Sequence, residues 1–146
     1  MSESAGQARR EPLEEGFMVI DDSGDGVRLI GSYSPLADTY FFPRRLRCPV
    51  TGGPVEDRLL SQRGAIYSWT YVDHPLVGRV RYSDVKGYGV IQANLPEGVR
   101  VQAIVVGEGN EWRIGDAVDL VAHPVSTDAD GTQLCTFAFR VVEENS

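Results

Sequence analysis

The stretch AIYSWTYV, residues 65–72, has the composition of a β-strand, because β-branched and aromatic residues fill its length. Four further stretches have the same texture, at residues 88–95, 99–106, 117–122 and 132–142. Turn residues separate them, as in PEG at 96–98, GEGN at 107–110 and DADG at 128–131. Five strands with almost no helix signal predict a small barrel or sandwich, and a five-stranded Greek-key barrel of the OB type fits this count.

The chain before this strand series has two other textures. Residues 17–20 (FMVI) and 27–30 (VRLI) flank the turn sequence DDSGDG, which predicts a hairpin. Residues 34–54 hold four prolines, the pair Gly52-Gly53 and three adjacent aromatic residues, so regular structure there must be short. We therefore predict a flexible arm at 1–16, a hairpin and proline-rich region at 17–57, and the barrel domain at 58–146.

Composition narrows the class of protein. Hydrophobic residues make up 42% and charged residues 24% of the 146 residues, which is typical of a globular protein. The net charge of −7 disfavours binding to nucleic acid or anionic lipid. No stretch has the apolar length of a membrane span or a signal peptide, and the two cysteines fit a reducing compartment. We expect a cytoplasmic protein with no membrane or nucleic-acid partner.

Residues that carry chemistry are few. His74 and His123 each precede a proline, and nothing in the sequence indicates that either meets a cysteine or a serine. Cys135 lies in an alternating strand, LCTFAF, where a buried thiol is ordinary core. We predict no catalytic residue, while a small enzyme built on Cys48 or His74 remains an alternative.

Two segments have the composition of a binding surface. The connector, defined as residues 40–47 (YFFPRRLR), places three aromatic residues beside three arginines. This pattern fits a partner protein or a phosphate-bearing ligand, and equally a linker that packs its aromatics on the barrel. The loop at 74–88 is long for a link between two barrel strands and mixes apolar residues with three cations.

These residues resemble a family of small accessory proteins, each with a zinc ribbon and an OB fold, that accompany thiolase-like enzymes. The resemblance spans about residues 28–142 and is carried by the order and spacing of several motifs. They are FPRR at 42–45, CP at 48–49, GAIYSWT at 64–70, LPEGVR at 95–100 and IGDAV at 114–118. The resemblance implies a mainly β protein, with a rubredoxin-like ribbon hairpin before the barrel.

The zinc ligands of the family are where this sequence departs from it. The four ligand positions fall on Ser34, Ala37, Cys48 and Thr51, so a single cysteine remains. Structural zinc sites use four Cys, His or acidic ligands. We therefore expect a degenerate, metal-free ribbon, held by its aromatic residues and prolines, with no bound cofactor.

The resemblance also implies a function. The chain would be a non-catalytic subunit of a thiolase, an aldolase or lyase, or an acyltransferase, in a complex whose substrate is an acyl-CoA thioester. The residues predicted to contact the partner or the acyl-CoA are Tyr40, Phe41, Phe42, Arg44, Arg45, Arg47, Arg79, Arg81, Tyr82, Lys86 and Tyr88. The alternative, an OB module for single-stranded nucleic acid, conflicts with the acidic charge and the single lysine, Lys86.

Overall fold

The computed structural model describes residues 9–72, 76–77, 80–81, 87–107 and 111–142, with backbone only for 76–77 and 80–81. The described residues form strands and turns, with no helix that could span a membrane. The strands are β1 (Arg10–Pro12), β2 (Met18–Ile20), β3 (Val27–Ser34), β4 (Thr39–Phe41), β5 (Glu56–Leu59), β6 (Arg63–Val72), β7 (Leu76–Val77), β8 (Val80–Arg81), β9 (Tyr88–Asn94), β10 (Arg100–Val105), β11 (Ala117–Thr127) and β12 (Gln133–Val141).

Five of these strands close a barrel, which confirms the predicted fold class. The order around the barrel is β6, β9, β10, β12 and β11, and β11 returns to pair with β6. The contact between β10 and β12 is parallel, and the other four are antiparallel. Since each predicted strand of the series coincides with one barrel strand to within a few residues, alternation and turn chemistry are sufficient to place them.

The main difference concerns β11, which continues to Thr127 although the sequence predicts its end at residue 122. Pro124 lies within the strand, beside a bulge between Pro124 and Ser126. Beyond Ala122, β11 pairs with β12 alone among the described strands, so the proline can occupy a free edge without breaking a ladder of hydrogen bonds.

The N-terminal region is a small sheet centred on β3. Residues 18–20 and 39–41 pair with successive parts of β3, and β5 pairs with its other edge. The turn before β3 reaches the barrel, where Gly26 bridges to Val121 and the Ala122 amide donates to the Asp25 carbonyl oxygen at 2.8 Å. Residues 10–12, part of the predicted arm, form β1 and pair in parallel with β12.

A single hydrophobic core joins the two regions. Met18, Val27 and Leu29 from the N-terminal sheet and Leu60 from the link belong to the same cluster as the barrel interior. The barrel contributes Ile66, Ile91, Ala93, Leu95, Val99, Val101, Val105, Val118, Leu120, Ala122, Cys135 and Phe139. The small sheet is therefore anchored by burial against the barrel and not by a flexible tether.

One end of the barrel is filled by aromatic side chains. Trp69 and Trp112 meet edge to face with ring centroids 5.3 Å apart. The ring of Trp112 lies over Gly89, where an added Cβ would come within 2.2 Å of its Cη2 atom. Gly89 is therefore required for this packing, since no other residue leaves room for the indole.

We expect Gly89→Ala to destabilise the protein by about 1–3 kcal/mol, because the added methyl group overpacks the barrel end. Urea unfolding of the variant measures this change. In the Trp112→Phe background the same substitution should cost clearly less, since phenylalanine lacks the overlapping atoms. Equal costs in both backgrounds would show that the indole is not the cause.

Candidate functional site

The N-terminal sheet ends in two short turns at the positions that hold zinc ligands in the resembled family. The first knuckle is residues 34–37 (SPLA), and the second knuckle is residues 48–51 (CPVT). In the first, the Ala37 amide donates to the Ser34 hydroxyl oxygen at 3.2 Å. In the second, the Thr51 amide donates to the Cys48 sulfur at 3.4 Å. Each knuckle is thus closed by a bond from its fourth residue to the side chain of its first.

The two knuckles meet around the Cys48 thiol. Cys48 and Ser34 are both buried, at 2% and 0% exposure. Hydrogen bonds from the side chains of Ser34 and then Thr51 lower the pKa of the Cys48 thiol from its ordinary 9.0 to about 7, although burial opposes them. The structure therefore brings three of the four degenerate ligand positions together.

This donor set does not fit a zinc ion. Cys48 provides the one thiolate, Ala37 has no donor atom, and Ser34 and Thr51 offer hydroxyl groups that already hydrogen bond within the site. Structural zinc requires four thiolate, imidazole or carboxylate ligands. No group of three or more His, Cys, Asp or Glu side chains able to hold a metal occurs among the described residues.

The aromatic residues of the connector pack inward. Tyr40 lies against Tyr33, with centroids 4.7 Å apart, and Phe42 lies between Phe17 at 6.5 Å and Phe137 at 6.1 Å. Tyr40 and Phe42 both pack on the hydrophobic core, and Phe41 is half-buried at the end of β4. Phe42 therefore joins the N-terminal sheet to the barrel, and Tyr40 packs on the core that the two regions share.

The arginines of the connector remain at the surface. Arg44 makes an ion pair with Asp57 at 2.7 Å. The Arg45 backbone amide donates to the buried Ser32 hydroxyl at 2.8 Å, which fixes the chain while its side chain stays exposed. Arg47 is exposed as well, and neither it nor Arg45 pairs with a carboxylate of a described residue.

The other predicted contact residues lie in the long loop. Arg79, Tyr82 and Lys86 fall outside the described residues, as does His74, and Arg81 is described by its backbone alone. Tyr88 begins β9 and is half-buried. Their contact role stays a prediction.

Two adjoining grooves border the connector, and the sequence predicted neither. The first, of about 400 Å³, is mostly apolar and is lined in part by Leu13, Phe17 and Phe137. The second, of about 350 Å³, shares Phe17 and Pro43 with it and is lined by Arg44, Arg45 and Leu46. Leu13 and Phe17 come from the segment after β1, whose position depends on tertiary pairing that sequence patterns do not reveal.

Another depression, about 830 Å³, lies at the barrel beside Trp112 and has a mixed lining. Its charged residues include Asp119, paired with Arg63, and Arg140, paired with Asp25. It has no cysteine, histidine or hydroxyl side chain among its described lining residues.

Burial raises the pKa of the other thiol, Cys135, and neither cysteine hydrogen bonds to a histidine within the described ranges.

Comparison with known proteins finds sequence similarity to a thiolase subunit. No protein-family model matches the chain. It is 29% identical to "Benzoylsuccinyl-CoA thiolase subunit BbsA" of Thauera aromatica over 102 residues, which cover 69% of this chain and 67% of that protein. This similarity agrees with the thiolase association implied by the sequence motifs.

A solved structure shares the fold. The structure "Ltp2-ChsH2(DUF35) aldolase" superposes with a TM-score of 0.58 and 24% sequence identity, covering 78% of this chain and 84% of that chain. The two chains therefore share a fold over most of their length, and this chain is separately similar in sequence to a thiolase subunit.

Proposed function

We propose that this protein is a non-catalytic accessory subunit of a thiolase-like enzyme that acts on acyl-CoA thioesters. The observation that carries the proposal is the similarity to a benzoylsuccinyl-CoA thiolase subunit over 69% of the chain. The fold shared with an aldolase structure is consistent with this proposal, although a fold alone does not define a function.

The side chains favour an accessory role over a catalytic one. Acyl transfer needs a nucleophile within reach of a base that activates it. The thiol with the lowered pKa, Cys48, is buried and bonded to hydroxyl groups of the ribbon, so it supports structure and is closed to a substrate. In our proposal, the partner subunit supplies the nucleophile and the base.

The acyl-CoA contact belongs to the grooves beside the connector. Arginine binds phosphate oxygens bidentately, and Arg45 lies at the mouth of a groove that continues into the apolar one. A ligand with phosphates at one end and an apolar chain at the other fits this arrangement, in which an arginine-lined groove adjoins an apolar one. The predicted acyl-CoA contact also includes Arg79, Arg81 and Lys86.

We assign the protein to the cytoplasm, where the free thiols of Cys48 and Cys135 persist.

We further propose that hydrogen bonds replace zinc in the ribbon. The Ser34 and Thr51 hydroxyls and the Thr51 amide converge on the Cys48 sulfur, at the position where a metal would otherwise join the knuckles. The shared core with the barrel supports the same sheet from its other end.

The purified protein should therefore contain well below one zinc ion per chain, even after growth in zinc-supplemented medium. Elemental analysis by mass spectrometry measures this, with a chelator-treated sample as the control. Because no metal holds the fold, treatment with EDTA should leave the thermal midpoint unchanged. About one zinc per chain, lost together with folding on chelation, would contradict the proposal.

The Cys48 pKa predicts a pH dependence of stability. Below pH 7 the thiol is protonated in both states, whereas between about 7 and 9 the folded protein loses a proton that the unfolded chain retains. The free energy of unfolding should therefore rise across this window. Urea unfolding at pH 6.5, 7.5 and 8.5 measures the slope.

Cys48→Ala should remove that slope, whereas Cys135→Ala should preserve it between pH 6.5 and 8.5, because burial raises the Cys135 pKa above the window. An unchanged slope in Cys48→Ala would assign it to another group.

The accessory role is tested by reconstitution. The tagged chain is used to purify its partner from the native host, the partner is identified by mass spectrometry, and both are then produced separately. We expect a stable complex with a thiolase-like protein, no acyl-CoA turnover by this chain alone, and higher turnover by the complex than by the partner alone. Turnover by the isolated chain that Cys48→Ala abolishes, or co-purification of nucleic acid without a thiolase-like protein, would contradict the proposal.

A further inference from the structure

The end of the N-terminal sheet that carries the two knuckles exposes an unusual amount of apolar surface. Leu36 is 71% exposed, Leu46 is 97% exposed and Val50 is 74% exposed. Single exposed apolar residues are common, but three within fifteen residues form a patch that needs an explanation. We call these three residues the ribbon tip.

The geometry of the knuckles makes the ribbon tip contiguous. Leu36 and Val50 occupy the third position of the first and second knuckle, which are held together at Cys48. Leu36 reaches across to the second knuckle, since an added Cβ on Gly53 would lie 2.8 Å from its Cδ1 atom. Leu46 precedes Cys48 by two residues, so their Cα atoms are at most about 7 Å apart.

The charge of this region is opposite to that of the whole protein. Residues 34–54 contain three arginines and one aspartate, a net charge of +2 in a chain of net charge −7. Arg47 lies between Leu46 and Cys48, exposed, and Arg44 is neutralised by Asp57. The surface complementary to the ribbon tip is therefore an apolar depression bordered by carboxylates.

The knuckles are also held together by hydrogen bonds of their own. The buried hydroxyl of Ser34 and the buried thiol of Cys48, together with the exposed residue Thr51, join the two turns. These turns present Leu36 and Val50 outward, beside the exposed prolines Pro35 and Pro49. A rigid turn that displays a leucine and a valine to solvent is suited to insertion into another protein.

We infer that the ribbon tip is the surface by which this protein docks on its thiolase-like partner, with Leu36 and Val50 in an apolar depression and Arg47 facing carboxylates at its edge. The inference rests on the proposed function, which supplies the partner. Leu36, Val50 and Arg47 line neither acyl-CoA groove, whereas Leu46 lines the second groove, so the ribbon tip adjoins that groove.

The test measures the affinity of the reconstituted complex by calorimetry for two variants, each with a matched control on the barrel. Leu36→Ser combined with Val50→Ser should raise the Kd roughly tenfold or more, since buried anchors carry most of an interface's binding energy. Ile114→Ser is the control, because Ile114 is also 71% exposed and lies far along the chain. It should change the Kd by less than about twofold.

Arg47→Glu should weaken the complex more at low salt than at high salt, whereas Arg113→Glu, also on an exposed barrel turn, should have little effect. All four variants change exposed side chains, so circular dichroism and the thermal midpoint should match the wild type. A tip variant that lost its fold would be replaced by Leu36→Gln alone, which keeps a side chain of similar length.

The possible results separate the two proposals. If the wild-type chain binds no thiolase-like protein, the proposed function is wrong. If the wild type binds and both tip variants bind equally well, the docking inference alone is wrong. It is also wrong if the tip variants abolish only self-association in sedimentation, or only binding to vesicles of anionic lipid, while the affinity for the partner is unchanged.

Discussion

Burial of the first half of β3 against the barrel supports the whole N-terminal sheet. Val27 and Leu29 are fully buried in the common core, and Leu60 covers them from the link to β6. Truncating one such residue typically costs about 2–5 kcal/mol. The second half of the same strand carries Ser32 and Ser34, whose buried hydroxyls accept the Arg45 and Ala37 amides. One continuous strand thus transmits the rigidity of the barrel core to the knuckles.

This arrangement explains how the metal-free ribbon that we propose would keep its fold. In an isolated zinc finger, metal binding supplies about 10–16 kcal/mol of folding free energy, and no structure survives without it. A hydrogen bond contributes only about 0.5–1.5 kcal/mol, so the bonds around Cys48 could not replace zinc by themselves. They do not need to, because the sheet is already held by the core and by Phe42 between Phe17 and Phe137. The hydrogen bonds have only to fix the shape of two short turns.

Features set by residues close together along the chain could be predicted from the sequence, whereas features set by tertiary contacts could not. The barrel strands were predictable because alternation and turn residues are local signals, and the resemblance located the four degenerate ligand positions. The convergence of Ser34 and Thr51 on Cys48 depends on side-chain geometry, which no spacing reveals. The inward packing of Tyr40 and Phe42 depends on tertiary contacts, as does the pairing of residues 10–12 with β12. The exposure of Leu46 also depends on tertiary structure, because no periodicity distinguishes buried from exposed residues in a proline-rich segment.

The segment that carries the ribbon tip and the rest of the chain have net charges of opposite sign, and this difference has a kinetic consequence. A protein with a net charge of −7 is repelled by an acidic partner at long range, yet its residues 34–54 carry a net charge of +2. Orientations that present the ribbon tip are therefore favoured before contact, while approaches by other faces are disfavoured. Such steering acts mainly on the association rate and weakens with salt, whereas the contribution of Leu36 and Val50 is apolar and acts on dissociation. Charge would select the docking face, and apolar burial would retain the partner once it is bound.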